Sequence, residues 1–256
     1  MLDAKKIKKL LNPQIEVFTY DCVSSTNLLA KEHGAKFVGE ALFIAETQTN
    51  GRGRLGRTFY SPENSGIYMS LLLRPSINFE DYTLITTAAA VSVAKAIDCY
   101  CDTPTKIKWV NDVFLNGKKV CGILTEGAFK KDSSFAVLGI GINLFEPKSG
   151  FPEEISQIAG GIFGGECTEN IKAEIIAKVI NNFYEYYSVL PRKVFLEEYR
   201  TKDMLNGKQI CYIKNDVPCC GTAMGITDNL ELIVIDNLDN THHLSSGEVT
   251  IGSKKE

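Results

Sequence analysis

The sequence predicts an α+β protein: a mixed β-sheet with packed helices, followed by a small C-terminal β-barrel. Three observations carry that expectation. Apolar runs of strand character alternate with runs of helical spacing as far as Asn206-Gly207. The pair Asn116-Gly117 sits between two apolar runs, as the turn of a tight hairpin does. From Lys208 onward only short strands divided by Asn, Asp and Gly turns remain, with no helical period. The chain is therefore expected to divide into a main domain over 1–206 and a small domain over 207–256. Its 256 residues, 44% hydrophobic and 23% charged, suffice for one large core with a small domain leaning on it.

Taken in order, IEVFTY (Ile15 to Tyr20) reads as a strand. SSTNLLAKEHG follows as a short helix capped by Ser25 or Thr26 and stopped at Gly34. ALFIAETQT (Ala41 to Thr49) is a second strand that runs directly into NGRGRLGR, and GIYMSLLLR (Gly66 to Arg74) is a third, so the Gly/Arg stretch joins two sheet strands. Between Phe79 and Tyr100, Leu84, Ile85, Ala88, Ala89, Val91, Ala94 and Ile97 recur at helical spacing and predict the longest helix. KIKW leads into DVFL, the Asn-Gly turn and KKVCGILTE, whose strand opens on Lys118 and Lys119. Ser134 to Leu144 is a further apolar strand, with Gly139 and Gly141 where a ligand or a second backbone can approach. A loop over Glu146 to Asn170 precedes helices at Ile171 to Ser188 and, after Pro191, at Arg192 to Thr201. The C-terminal strands are QICYI, CCGTAMGI, LELIVID, HHLS and GEVTI.

Composition removes several function classes. A formal net charge of −3 implies no broad basic face, so nucleic-acid binding would need a local cationic patch. No stretch approaches the roughly 20 apolar residues of a membrane span, and lysines interrupt the N-terminus, so a cytoplasmic protein without membrane contact is expected. The eight cysteines lack the paired spacing of a zinc knuckle; they read as free, buried thiols, with neither disulfides nor a metal held by Cys or His.

The chemistry concentrates in three places. NGRGRLGR puts three glycines and three arginines into eight positions, which suits a clamp of backbone N–H groups and guanidinium forks on a phosphate or carboxylate. The same letters occur in nucleic-acid-binding tails, where the run is repeated, whereas here it occurs once between strands. KWVND places Asn111 and Asp112 at a turn, where Asx residues most often cap the backbone. The third is the lysine pair of the hairpin; strand alternation does not choose between Lys118 and Lys119.

Together with their order and separations, these features resemble the biotin protein ligases, also called biotin–[acetyl-CoA-carboxylase] ligases. The resemblance covers SSTN (Ser24 to Asn27), ETQTNGRGRLGR (Glu46 to Arg57), SPENSGIYMSLLLRP (Ser61 to Pro75), KWVNDVFLNGKKVCGILTE (Lys108 to Glu126), LGIGINL (Leu138 to Leu144) and GEVTI. It implies a biotin/lipoate ligase-like catalytic domain and an SH3-like C-terminal barrel. It also implies a reaction in which biotin and MgATP give biotinyl-adenylate, from which a lysine of biotin carboxyl carrier protein takes the biotin. Carried over residue by residue, Lys119, Arg54 and Asp112 serve the chemistry, with Arg52 adding charge. Ser25, Thr26, Asn27 and Gln48 recognise the biotin head, Asn111 contacts the adenylate, and Gly51, Gly53, Gly139 and Gly141 admit the ligand to the backbone. No protein metal site is implied, and a homodimer is compatible with the family. Trp109 reads as core packing.

The chain departs from the pattern at Val110, where the family usually has proline, and in lacking an arginine directly after GEVTI. Only about 12 residues precede the first strand, too few for a helix-turn-helix, so operator binding is not expected. A lipoate-type acyl ligase and a nucleic-acid-binding module are the alternatives. The first lacks this Gly/Arg alternation, and the second fits poorly with the acidic background.

Overall fold

Helix α1 (Ala4–Leu10) begins where the Asp3 carboxylate accepts from the backbone N–H groups of Lys5 and Lys6, two of the donors a helix start leaves unpaired. Strand β1 (Glu16–Val23), helix α2 (Thr26–Gly34) and strand β2 (Ala41–Gln48) form a β-α-β unit in which β2 runs parallel to β1. Strands β3 (Gly66–Leu73), β4 (Lys106–Lys108), β5 (Asp112–Leu115), β6 (Lys118–Ala128) and β7 (Phe135–Asn143) complete a seven-stranded mixed sheet in the order β1-β2-β3-β7-β6-β5-β4. This computed structural model describes residues 2–78, 81–128, 134–165, 168–214 and 217–252. The predicted helix start at Phe79, Cys167 and the tail 253–256 lie outside them.

The period-2 pattern of the central strands sorts their side chains onto two faces. Leu42 and Ile44, Leu71 and Leu73, Leu138 and Ile140 join the main core, under helices α3 (Tyr82–Asp98) and α5 (Glu169–Tyr187). Phe43, Leu72, Phe135 and Val137 point the other way, into a smaller cluster with Ala30 of α2. α3 packs on both the sheet and α5, so it is apolar nearly all round, and its hydroxyls are absorbed internally: Ser92 bonds the Ala88 carbonyl at 2.7 Å and Thr86 bonds Thr125 at 2.8 Å.

The hairpin turn has the geometry its sequence demands, with φ of 50° at Asn116 and 77° at Gly117, the doubly positive pattern of a type I′ turn. Val113 pairs with Cys121 but its neighbour Phe114 pairs with Lys119, which places a bulge at Val120. Val120 and Cys121 consequently both enter the core. The peptide between Trp109 and Val110 is cis.

Several elements differ from expectation. α1 was not anticipated. The loop over 146–170 contains a short helix, α4 (Glu153–Ser156). The helix expected from Arg192 is shorter, α6 (Leu196–Thr201): a 3₁₀ turn at Leu190–Arg192 ends at Lys193, whose φ of 50° is left-handed and interrupts any continuous helix.

After Asn206-Gly207, strands β8 (Gln209–Lys214), β9 (Val217–Ile226), β10 (Leu232–Asp236), β11 (Thr241–Leu244) and β12 (Val249–Ile251) form an antiparallel sheet in the order β11-β10-β9-β8-β12. Trp109 ties it to the main sheet by donating from Nε1 to the Leu230 carbonyl at 2.8 Å. The cysteine expectation is corrected here. Cys211 and Cys220 are register partners on β8 and β9, which brings their sulfurs together as a disulfide. Of the described free cysteines only Cys121 is buried, while Cys22 and Cys99 are exposed. Sequence spacing does not report cross-strand register, and register made this pair.

Candidate active site

On the α2 face of the sheet the strand glycines make a floor. Gly122 of β6 is the register partner of Gly141 of β7, and the Phe59 ring lies over both. A Cβ at Gly141 would stand 2.5 Å from that ring, and one at Gly122 3.2 Å from it. One step along, any Cβ at Gly139 would collide with the amide of Asn27. Gly139 and Gly141 are thus required by the side chains packed on them.

A cavity of about 440 Å³ opens above this floor. Of the residues that the resemblance assigns to the site, all line it except Gly51. Gly51 stands behind the wall, accepting from the Phe59 N–H at 2.9 Å, and a Cβ there would strike the Phe59 carbonyl. Two polar groups of residues face the cavity.

The first group comes from the start of α2 and the end of β2. Gln48 accepts the Thr26 N–H at 2.9 Å through Oε1 and donates to Ser61 through Nε2 at 2.9 Å. Ser25 occupies the cap position of α2 but makes no cap bond there. Its hydroxyl, on a residue 1% exposed, has no partner among the described residues, so it is left for a ligand.

The second group gathers Arg54, Asn111, Asp112 and Lys119. Lys119 Nζ lies 2.7 Å from Asp112 Oδ1, while Lys118 turns away to the Gln157 carbonyl at 2.7 Å. The bulge at Val120 makes that choice: unbroken alternation from Gly122 would aim Lys118 at the cavity, and the extra residue substitutes Lys119. Arg54 donates to Asn111 Oδ1 at 2.9 Å and to the Gly247 carbonyl at 3.4 Å, and Asn111 Nδ2 donates to the Ile123 carbonyl at 2.8 Å.

Sequence reasoning left three contributors without a role. Lys108, read only as the first letter of KWVND, lines the cavity; burial pushes its ammonium pKa down, a shift that nearby Lys119 and Arg57 reinforce and Asp112 and Glu248 oppose. Phe59 covers the glycine floor. Glu126 of β6 accepts from Asn27 Nδ2 at 2.8 Å and pairs with Lys31 at 2.6 Å and with Arg52 at 3.3 Å. Burial raises its pKa, yet those hydrogen bonds and cations outweigh burial and hold the carboxyl below its usual value. A carboxylate at the end of a strand gives no signal of this kind until its neighbours in space are known.

A sequence profile of the biotin/lipoate A/B protein ligase family matches residues 20–143. The bifunctional ligase/repressor BirA of Bacillus spizizenii is 36% identical over 240 residues, which cover 91% of this chain and 73% of that one. The chain belongs to the biotin/lipoate ligase family. Within the family it is also 24% identical over 244 residues to the biotin–[acetyl-CoA-carboxylase] ligase of Mycobacterium tuberculosis, covering 92% of this chain and 88% of the relative. Among solved structures it resembles the biotin protein ligase from Aquifex aeolicus in complex with biotin and ATP. That likeness has a TM-score of 0.74 and 25% identity, and covers 92% of this chain and 98% of the other. The mixed α+β architecture of this chain, with its small C-terminal antiparallel sheet, matches the fold of that Aquifex aeolicus ligase.

Proposed function

We propose that the protein is an ATP-dependent biotin ligase that makes biotinyl-adenylate and transfers the biotin to a specific lysine of a biotin carboxyl carrier protein. The observation that carries this reading is one cavity holding both an unpartnered buried hydroxyl beside Thr26 and Gln48 and a cationic group built on Lys119 and Arg54. The first suits the ureido head of biotin, which needs donors and acceptors in a dry pocket. The second suits the place where its carboxylate meets a phosphate. MgATP enters as a substrate complex.

In the first step a biotin carboxylate oxygen attacks the α-phosphorus, and the bond to the departing pyrophosphate breaks. Two anions must approach, so the protein's contribution is positioning and positive charge. Lys119, oriented by Asp112, supplies that charge, and Arg54, held by Asn111, supplies more. In the second step the carrier's lysine amine attacks the acyl carbon, AMP leaves and the amine loses a proton. Ser25, Thr26, Asn27 and Gln48 hold the head through both steps, and Gly51 and Gly53 shape the loop that covers the anhydride. The small C-terminal sheet is read as an SH3-like barrel, with 207–256 a domain of its own beside 1–206. The change to short strands after Asn206-Gly207 supports this.

Incubation with MgATP and either biotin or lipoate, read by mass spectrometry, tests the reading. Biotinyl-adenylate is expected, followed by a biotin mass on one lysine of added carrier protein; lipoyl-adenylate alone would replace the biotin assignment.

A further inference from the structure

The polar groups on the α2 face form one unbroken chain. Glu126 accepts from Asn27 Nδ2 at 2.8 Å, Asn27 Oδ1 accepts from the Ser70 hydroxyl at 2.5 Å, and Ser70 lies 2.7 Å from the Thr26 hydroxyl. The chain passes over Gly139, whose missing Cβ makes room for the Asn27 amide between β3 and β6. Thr26 and Asn27 are both nearly buried, so bulk water does not relax these bonds.

Donor and acceptor rules fix the direction of every link. An ionised carboxylate only accepts, so Asn27 must present its NH2 to Glu126 and its oxygen to Ser70. Ser70 has one hydrogen and gives it to that oxygen. Toward Thr26, Ser70 can then only accept, and two hydroxyl oxygens 2.7 Å apart require a hydrogen between them. The Thr26 hydrogen therefore points at Ser70 rather than at Gln48 Oε1, which is farther at 3.1 Å and already bonded to the Thr26 N–H. Thr26 is left presenting lone pairs to the cavity.

We propose that Glu126 is a positioning residue for substrate recognition: acting through Asn27 and Ser70, it sets the Thr26 hydroxyl as a hydrogen-bond acceptor. The site thereby takes a ligand whose head offers an N–H there, as a cyclic urea or lactam does. This rests on the biotin-ligase reading. The charges of Lys31 and Arg52 beside Glu126 keep it ionised and so keep the polarity of the chain fixed.

The test is biotin affinity by titration calorimetry on the whole protein, with steady-state adenylation alongside. Glu126→Gln keeps the shape but can offer an NH2 to Asn27, letting that amide turn over and the chain reverse. It should weaken biotin binding about tenfold and raise KM for biotin, with kcat at saturating biotin held within about threefold. In a Thr26→Val background, where no hydroxyl remains to orient, the same substitution should cost less than about twofold. If Glu126→Gln does not fold, Glu126→Met removes the acceptor without adding a donor, and the same loss and the same coupling are expected. Full biotin affinity in the single variant, or an undiminished loss in the Thr26→Val background, overturns the role of Glu126. A wild type that neither binds biotin nor makes its adenylate overturns the ligase reading instead.

Discussion

At the scale of single residues, the site depends on which of two adjacent lysines faces the cavity, and one backbone bulge decides it. Lys119→Ala should lower adenylate synthesis by about a hundredfold, the order seen when one charge-stabilising donor is removed. Lys118→Ala, whose ammonium bonds carbonyls outside the cavity, should stay near the wild-type rate. A pulse assay for labelled biotinyl-adenylate separates the two, and an equal loss in both would reassign the charge. Lys119 was legible only through the resemblance, because a period of two cannot register a bulge that the pairing of β5 and β6 creates. Glu126 was not legible at all, since its partners come from α2 and the Gly/Arg loop. Its lowered pKa has a consequence for stability. A carboxyl depressed in the fold stabilises it above the unfolded pKa and loses that contribution as pH falls through the folded value. Acid unfolding followed by circular dichroism should therefore be less steep in Glu126→Gln than in wild type below the usual carboxyl value of 4.5. Parallel curves would mean that the ionisation is not coupled to folding.

The elements that sequence reasoning recovered best are those whose cause is local. The Asn116-Gly117 turn needs positive φ at both positions, and α3 shows its helical spacing within one segment. The elements it missed depend on distant partners or on one unusual torsion. α1 is a seven-residue helix that buries Ile7 against the rest, the helix at Arg192 is cut short by the left-handed Lys193, and the disulfide needs the register of β8 on β9. The Gly/Arg loop combines both cases. Its composition suits an anion clamp, but says nothing of Arg57 pairing with Glu248 at 2.6 Å or of Arg54 reaching the Gly247 carbonyl. These ties fasten the loop to the segment before β12. The Arg57 pair is largely solvated and contributes little to global stability, so its effect should be local. Trypsin cleavage after Arg52, Arg54 or Arg57 is expected to quicken in Glu248→Ala. It should slow in both proteins when biotin and MgATP order the loop. Cleavage rates indifferent to Glu248 would show that the loop is held by other contacts.

At the scale of the whole molecule, the question is whether three arginines in one loop answer to a nucleic acid or to one small ligand. Net charge alone argues against a broad footprint, since the chain carries −3 and long-range attraction to a polyanion would have to come from a local cationic cluster such as this loop. The fold adds a stronger argument. Arg52 is paired with Glu126, Arg54 with Asn111, and Arg57 with Glu248, so all three guanidinium groups are engaged by the protein, and all three residues line the same cavity as Lys119. A phosphate backbone would have to displace each partner, and the cost of taking from Glu126 one of its two cations would oppose the counterion release that drives such binding. A small ligand carrying one carboxylate and one phosphate needs only the cavity side of Arg54 and Lys119. Mobility shifts with duplex DNA should therefore be absent at physiological salt, with and without biotin. Transfer of labelled biotin to a carrier lysine should persist under the same conditions with MgATP as the sole co-substrate. A salt-sensitive, sub-micromolar shift together with no transfer would reverse the assignment, and it would require the three arginines to leave the partners that hold them here.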